Sequence, residues 1–245
     1  MSDETPRPDH RSLLASMALL AGAGALPARA AQGSKMMHVV LLGDSIFDNK
    51  AYVAPGPDVI VQVREALPSG SSATLTAVDG AVTADVRTQL KTLPTDATHL
   101  IVSAGGNDAL QEKGLIEQSA RSVAEALDKL AKVRDAFRAR YAAMLDAVTA
   151  RKLPVGVCTI YEARYEDAGM RKIAAAGLAL FNDTILREAF KRGLPVVDLR
   201  LMFDNDADYA NDIEPSVKGG AKIARAISTL VEMHDFKRRR SEIYL

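Results

Sequence analysis

The chain has 245 residues, 48% hydrophobic and 25% charged, and its 31 basic and 31 acidic side chains cancel to a formal net charge of zero. That is an ordinary soluble composition with ample material for one core, and it offers no basic face for nucleic acid or an anionic membrane surface. A single cysteine, Cys158, excludes an internal disulfide, and no Cys/His cluster has metal-ligand spacing.

The first residues read as separate from the rest. Residues 1–9 are polar and contain proline, and Arg11 leads into an apolar run from Leu13 to Leu26. The run is short for a membrane span and is followed by Ala28-Arg29-Ala30, a small-x-small cleavage pattern. His10-Arg11-Ser12-Leu13-Leu14 also has a faint likeness to a twin-arginine signal. Residues 1–35 are therefore expected to be a signal peptide and linker, with residues 36–245 forming the domain and the mature chain secreted or periplasmic. Two alternatives stay open: an uncleaved anchor, or a start at Met36 or Met37 that leaves the protein cytoplasmic.

The domain opens on Val39-Val40-Leu41-Leu42, four aliphatics that end abruptly in Gly43-Asp44-Ser45. A continuous apolar run closed by a turn signal predicts a strand buried on both faces, as in a parallel sheet under helices. Asp58 is placed to cap a helix over 58–67, and 73–78 reads as a second strand running into Asp79-Gly80-Ala81. A short helix over 83–93 follows. His99 to Ser103 is a third strand, closed by Ala104-Gly105-Gly106-Asn107-Asp108. A long helical region over 115–150 carries Leu127, Leu130, Val133, Phe137, Tyr141 and Leu145 at three- and four-residue steps, as a sheet-facing stripe would. Strands over 155–160 and 194–199 flank a helix over 170–192. A loop dense in Asp and Asn, 204–212, then leads to Ser216, the cap of a last helix over 218–234. The basic run Lys237-Arg238-Arg239-Arg240 reads as a solvated helix end. Strand and helix alternate throughout, which predicts a doubly wound five-stranded parallel sheet with helices on both faces.

In such a sheet the carboxyl ends of the strands share one edge, where ligands bind. That edge would gather Ser45, Gly80 and Asn107. A hydroxyl nucleophile, backbone N–H donors at Ser45 and Gly80, and a side-chain amide at Asn107 make the inventory of an oxyanion hole. Each piece alone also has a plain explanation, as a turn residue or a helix cap.

Taken together these blocks resemble the SGNH hydrolase family, also called GDSL esterases and lipases. Gly43-Asp44-Ser45 matches the first block, Gly80 the second and Gly105-Gly106-Asn107-Asp108 the third. The resemblance spans about residues 38–235. It implies a flavodoxin-like three-layer α/β/α sandwich. It also implies hydrolysis of a small ester through an acyl-enzyme on Ser45, an oxyanion hole at Ser45, Gly80 and Asn107, and no metal or organic cofactor.

The last block departs from the family pattern of Asp-x-x-His followed by Pro. Here it is Asn211-Asp212-Ile213-Glu214-Pro215, with Asn in place of the Asp and Glu in place of the His. No other histidine is placed to help. His10 is in the leader. His38 and His99 lie at the opposite pole of the sheet, roughly 15 Å or more from the site. His234 lies some twenty residues further along the last helix, on the order of 25–30 Å away. Three readings of Glu214 stay open: a general base, with a carboxyl pKa raised by burial; a relic in a pocket that binds without turnover; or a helix-entry acid near the dipole. Asp212 reads as a loop carboxylate. Phe47, Tyr52, Asp108, Tyr161, Glu162 and Arg164 lie on loops at the same edge, as pocket walls or as solvated loop.

Overall fold

The computed structural model describes residues 36–245; the leader and linker expected over 1–35 lie outside the described residues. Six parallel strands form one sheet in the order β2-β1-β3-β4-β5-β6. They are β1 (His38–Gly43), β2 (Ser72–Leu75), β3 (His99–Ser103), β4 (Val155–Cys158), β5 (Val196–Val197) and β6 (Ile243–Tyr244). The helices are α1 (Lys50–Val53), α2 (Val59–Ala66), α3 (Val86–Gln89), α4 (Gly106–Gln111), α5 (Val123–Thr149), α6 (Ala168–Arg192), α7 (Leu199–Met202) and α8 (Val217–Met233).

Alternation along β1 builds the three layers. Val39 and Leu41 join a core with Val59, Val63, Ile223, Ile227 and Leu230, the apolar faces of α2 and α8. Val40 and Leu42 join a second core with Val86, Phe137, Tyr141, Leu145 and Ile185, from α3, α5 and α6. All four aliphatics are fully buried, because successive side chains of a strand point to opposite faces and both faces are covered. The α/β/α sandwich expected from the sequence is the observed architecture.

Capping follows the residue types. Asp58 accepts from Val61 N–H at the start of α2, Ser122 from Glu125 N–H at α5, and Ser216 from the N–H groups of Lys218 and Gly219 at α8.

Three differences from the sequence reading have physical causes. The second strand leaves its ladder at Leu75 rather than residue 78. The N–H groups of Thr76 and Ala77 both bond to Leu41 O, a two-against-one pairing, and Val78 N–H then bonds to Gly43 O. This swings residues 79–82 over the end of β1. The long helix starts at Val123, and its stripe meets the core from Val133 and is fully buried from Phe137 onward, whereas Leu127 is 59% exposed. A helix of 27 residues is about 40 Å long, whereas the strands beneath span about 15 Å, so its first turns overhang. Finally, Lys237–Arg240 is not a helix end. It lies past the α8 C-cap His234, in the tail that feeds the sixth strand beside β5.

Candidate active site

Ser45 sits in a turn set by the close approach of the end of β1 to its parallel neighbour β3. Gly43 has φ +130°, and a Cβ there would lie 1.7 Å from Ser103 O, so only glycine fits. The side chain of Gln89 clamps the same residue. Gly43 N–H donates to Gln89 Oε1 at 2.8 Å, and Gln89 Nε2 donates to Gly43 O at 2.7 Å. Beyond it, Asp44 N–H donates to Ser103 O, and the N–H groups of Phe47 and Asp48 both donate to Asp44 O. The turn therefore presents Ser45, 7% exposed, at the carboxyl edge of the sheet.

The Ser45 hydroxyl donates to Glu214 Oε1 at 3.0 Å, across 169 residues of sequence. Glu214 is 4% exposed, and its other oxygen, Oε2, has no hydrogen-bond partner among the described residues. Burial raises its carboxyl above the ordinary glutamate value; the bond from Ser45 opposes that shift, and the charge of Asp79 adds to it.

The loop carrying Glu214 is fastened on several sides. Asn211 Oδ1 accepts the N–H groups of Ile213 and Glu214, each at 2.9 Å. Ala210 N–H donates to Glu214 O, and the Tyr161 hydroxyl donates to Ile213 O at 2.7 Å. Tyr161 is itself stacked on Phe203, centroids 3.9 Å apart, with Tyr209 edge-on to both rings. Asn49 bridges from the other side: its Nδ2 donates to Pro215 O, and its Oδ1 accepts from Val59 N–H at the start of α2. An open cleft of ≈ 410 Å³ lies against this loop, lined by Tyr165, Asn211, Asp212 and Ile213.

The other two expected residues follow the strands that flank β1, Gly80 in the loop after β2 and Asn107 in α4 after β3. Gly80 has φ +80° and open space where a Cβ would stand. Asn107 Nδ2 donates one hydrogen to Ala81 O at 3.0 Å, tying the Gly80 loop to the start of α4. Among the described residues, neither the Ser45 nor the Gly80 N–H is spent on another group. Asp108 is buried and serves structure: it accepts from Thr83 N–H and Thr83 Oγ1, and pairs with Arg140 at 3.3 Å. Phe47 and Tyr161, expected among the loop residues, are buried supports instead.

Thus Ser45 and Glu214 are in direct contact, and the Gly80 loop and Asn107 are bonded to each other. Gln89, Asn49 and Tyr161 hold the arrangement; the sequence pattern gave Gln89 and Asn49 no role and placed Tyr161 only among the loop residues of that edge. Only Asn49 had a local signal, four residues after Ser45 in the same turn. His38 and His234 are engaged elsewhere, with Asp96 and Glu242.

A model of the GDSL-like lipase/acylhydrolase family matches residues 41–222. No curated protein matches the sequence. Among solved structures, an acetyl xylan esterase, AlAXEase, superposes with TM-score 0.60 at 17% identity, covering 80% of this chain and 100% of that one. An extracellular lipase from Streptomyces rimosus gives 0.58 at 19%, covering 76% and 95%. Phospholipase A1 from Streptomyces albidoflavus NA297 gives 0.58 at 17%, covering 81% and 100%. At these identities the likeness is one of fold.

Proposed function

The chain belongs to the GDSL-like lipase/acylhydrolase family, and from that premise we propose that it is a serine esterase of small acyl or acetyl esters, with Ser45 as nucleophile and Glu214 as general base. The observation that carries this reading is the 3.0 Å hydrogen bond from Ser45 Oγ to a buried Glu214 carboxylate. A raised carboxyl pKa makes Glu214 a better match for accepting a hydroxyl proton than an ordinary glutamate.

In the first half-reaction Ser45 Oγ attacks the ester carbonyl carbon while its proton passes to Glu214 Oε1. The carbonyl oxygen becomes the oxyanion, which accepts hydrogen bonds from Ser45 N–H, Gly80 N–H and the second N–H of Asn107. Collapse breaks the bond to the leaving alcohol, which takes the proton from Glu214. Water then repeats the sequence on the acyl-Ser45, with Glu214 accepting the water's proton and returning it to Ser45 Oγ. The structurally similar acetyl xylan esterase and lipases support an ester over other acyl donors. No described helix is long and apolar enough to cross a membrane.

The test is labelling by a fluorophosphonate probe together with p-nitrophenyl acetate hydrolysis. Ser45→Ala is expected to abolish both, and Glu214→Gln to cut kcat by about 10²- to 10⁴-fold. Equal hydrolysis by Ser45→Ala would reject the proposal. The lone Glu214 Oε2 favours one competing reading, a pocket that binds without turnover. Its mark would be ligand-dependent thermal stabilisation with no Ser45-dependent hydrolysis.

A further inference from the structure

We propose that Asn211 is a positioning residue for Glu214: its side-chain oxygen fixes the backbone of the base, and its neutrality keeps another negative charge away from it. The inference rests on reading Glu214 as the base.

The positioning half is visible in the bonds. Asn211 Oδ1 takes two N–H groups, those of Ile213 and Glu214. With Ala210 N–H on Glu214 O and Tyr161 on Ile213 O, the Glu214 backbone is held firmly while its carboxylate has, among the described residues, a single hydrogen-bond partner, Ser45. The aim of the side chain is therefore set by its main chain, and Asn211 sets the main chain.

The charge half follows from comparing Asn with Asp. An aspartate has the same shape and would accept the same two N–H groups, so geometry alone does not choose between them. Charge does. The titratable groups acting around Glu214 are Asp44 from the turn after β1, Asp79 from the loop after β2, Tyr52 from α1 and Tyr161 from the loop after β4. Asp212 is its neighbour on the same loop. These are acids or phenols, so no positive charge among them favours the carboxylate. One more anion beside it would push Glu214 towards the protonated form, which cannot take a proton from Ser45. With imidazole at 214 the sign inverts, since the imidazolium formed by accepting that proton is favoured by an adjacent anion. The replacements at 211 and 214 therefore belong together as one device: a carboxylate base needs an uncharged support.

The experiment compares N211D, N211A, E214H and the double variant E214H/N211D. Its readouts are kcat/KM against pH and a carbon-13 NMR titration of the Glu214 carboxyl, assigned with E214Q. N211D is expected to fold as the parent does. It should move both the acid limb and the Glu214 titration upward, on the order of one pH unit, with about tenfold less kcat/KM below the limb. N211A should lower kcat at every pH without raising the limb. In the E214H background, adding N211D should raise kcat/KM about tenfold or more, so the same substitution harms one background and helps the other. The inference is overturned if N211D leaves the Glu214 titration where it was, or if it lowers activity alike in both backgrounds. Hydrolysis that survives Ser45→Ala would instead defeat the esterase reading, and the carboxyl titration still judges Asn211 by itself.

Discussion

Asp44 stands between two roles: it braces the Ser45 turn, and it does so as an acid with almost no access to water. Its Oδ1 accepts from Ile46 N–H at 3.2 Å, and it is 2% exposed. Burial pushes its carboxyl up to about 8; the Ile46 bond opposes the shift, while the charges of Glu214 and Asp108 add to it. At neutral pH the residue is thus largely protonated. In the unfolded chain the same group titrates near 3.9, so between those values the unfolded state binds fewer protons than the folded state. Stability is therefore lost as pH rises through that window. Asp44→Asn keeps the oxygen that accepts from Ile46 and removes the titration. Urea unfolding of the parent should lose on the order of a few kcal/mol between pH 5 and 9, and Asp44→Asn should lose most of that slope. A variant with the parent's full slope would show that Asp44 is not the group responsible. The bracing role was legible from an Asp in a Gly-Asp-Ser turn. The burial was not, because it depends on β3, α4 and the Glu214 loop closing over the turn.

The elements around Ser45 divide into those announced by local pattern and those that act over long sequence distances. β1 and β3 were legible because unbroken aliphatic runs end in glycine, and α8 because Ser216 precedes an amphipathic stretch. The Gln89 clamp was not, since α3 meets β1 across 46 residues and a Gln on a short helix looks like any polar surface residue. Nor was the Tyr161 bond to Ile213, which spans 52 residues. Yet Gln89 satisfies both backbone groups of the residue that starts the turn, and it is itself 6% exposed. Gln89→Leu keeps the approximate volume and leaves the Gly43 N–H unpaired in a buried place. The expected cost is about 1–3 kcal/mol in denaturant unfolding, the desolvation penalty of an unsatisfied buried group. Because the lost bonds fix the entry to the Ser45 turn, kcat should fall more than KM rises. A Gln89→Leu protein with parental stability and parental kcat would show that β1 and β3 alone hold the turn.

Across the whole molecule, the order of the sheet was legible only as far as its strands announce themselves. Five were foreseen, and the parallel, doubly covered arrangement followed from their alternation with helices. The sixth was hidden because Ile243-Tyr244 is two residues long and follows a basic run that resembles a helix end. It matters beyond its length. Val196 N–H donates to Glu242 O and Asp198 N–H to Tyr244 O, so the tail occupies the edge that β5 would otherwise present to solvent. The tail is anchored by His234, which bonds Glu242 Oε2 through Nδ1 at 2.8 Å, and by Arg239, which donates to Lys191 O at 2.9 Å. These contacts lie at the end of α8 remote from Glu214, so edge and proposed site should separate experimentally. Truncation after Ser241 removes the strand and exposes the β5 edge. The shortened protein is expected to melt several degrees lower and to self-associate on sizing chromatography, while fluorophosphonate labelling of Ser45 at low temperature keeps its parental rate. If the truncated chain stays at the parental association state and melting point, the sixth strand is dispensable. If labelling falls in step with stability, the tail reaches the site through the fold rather than merely closing its edge.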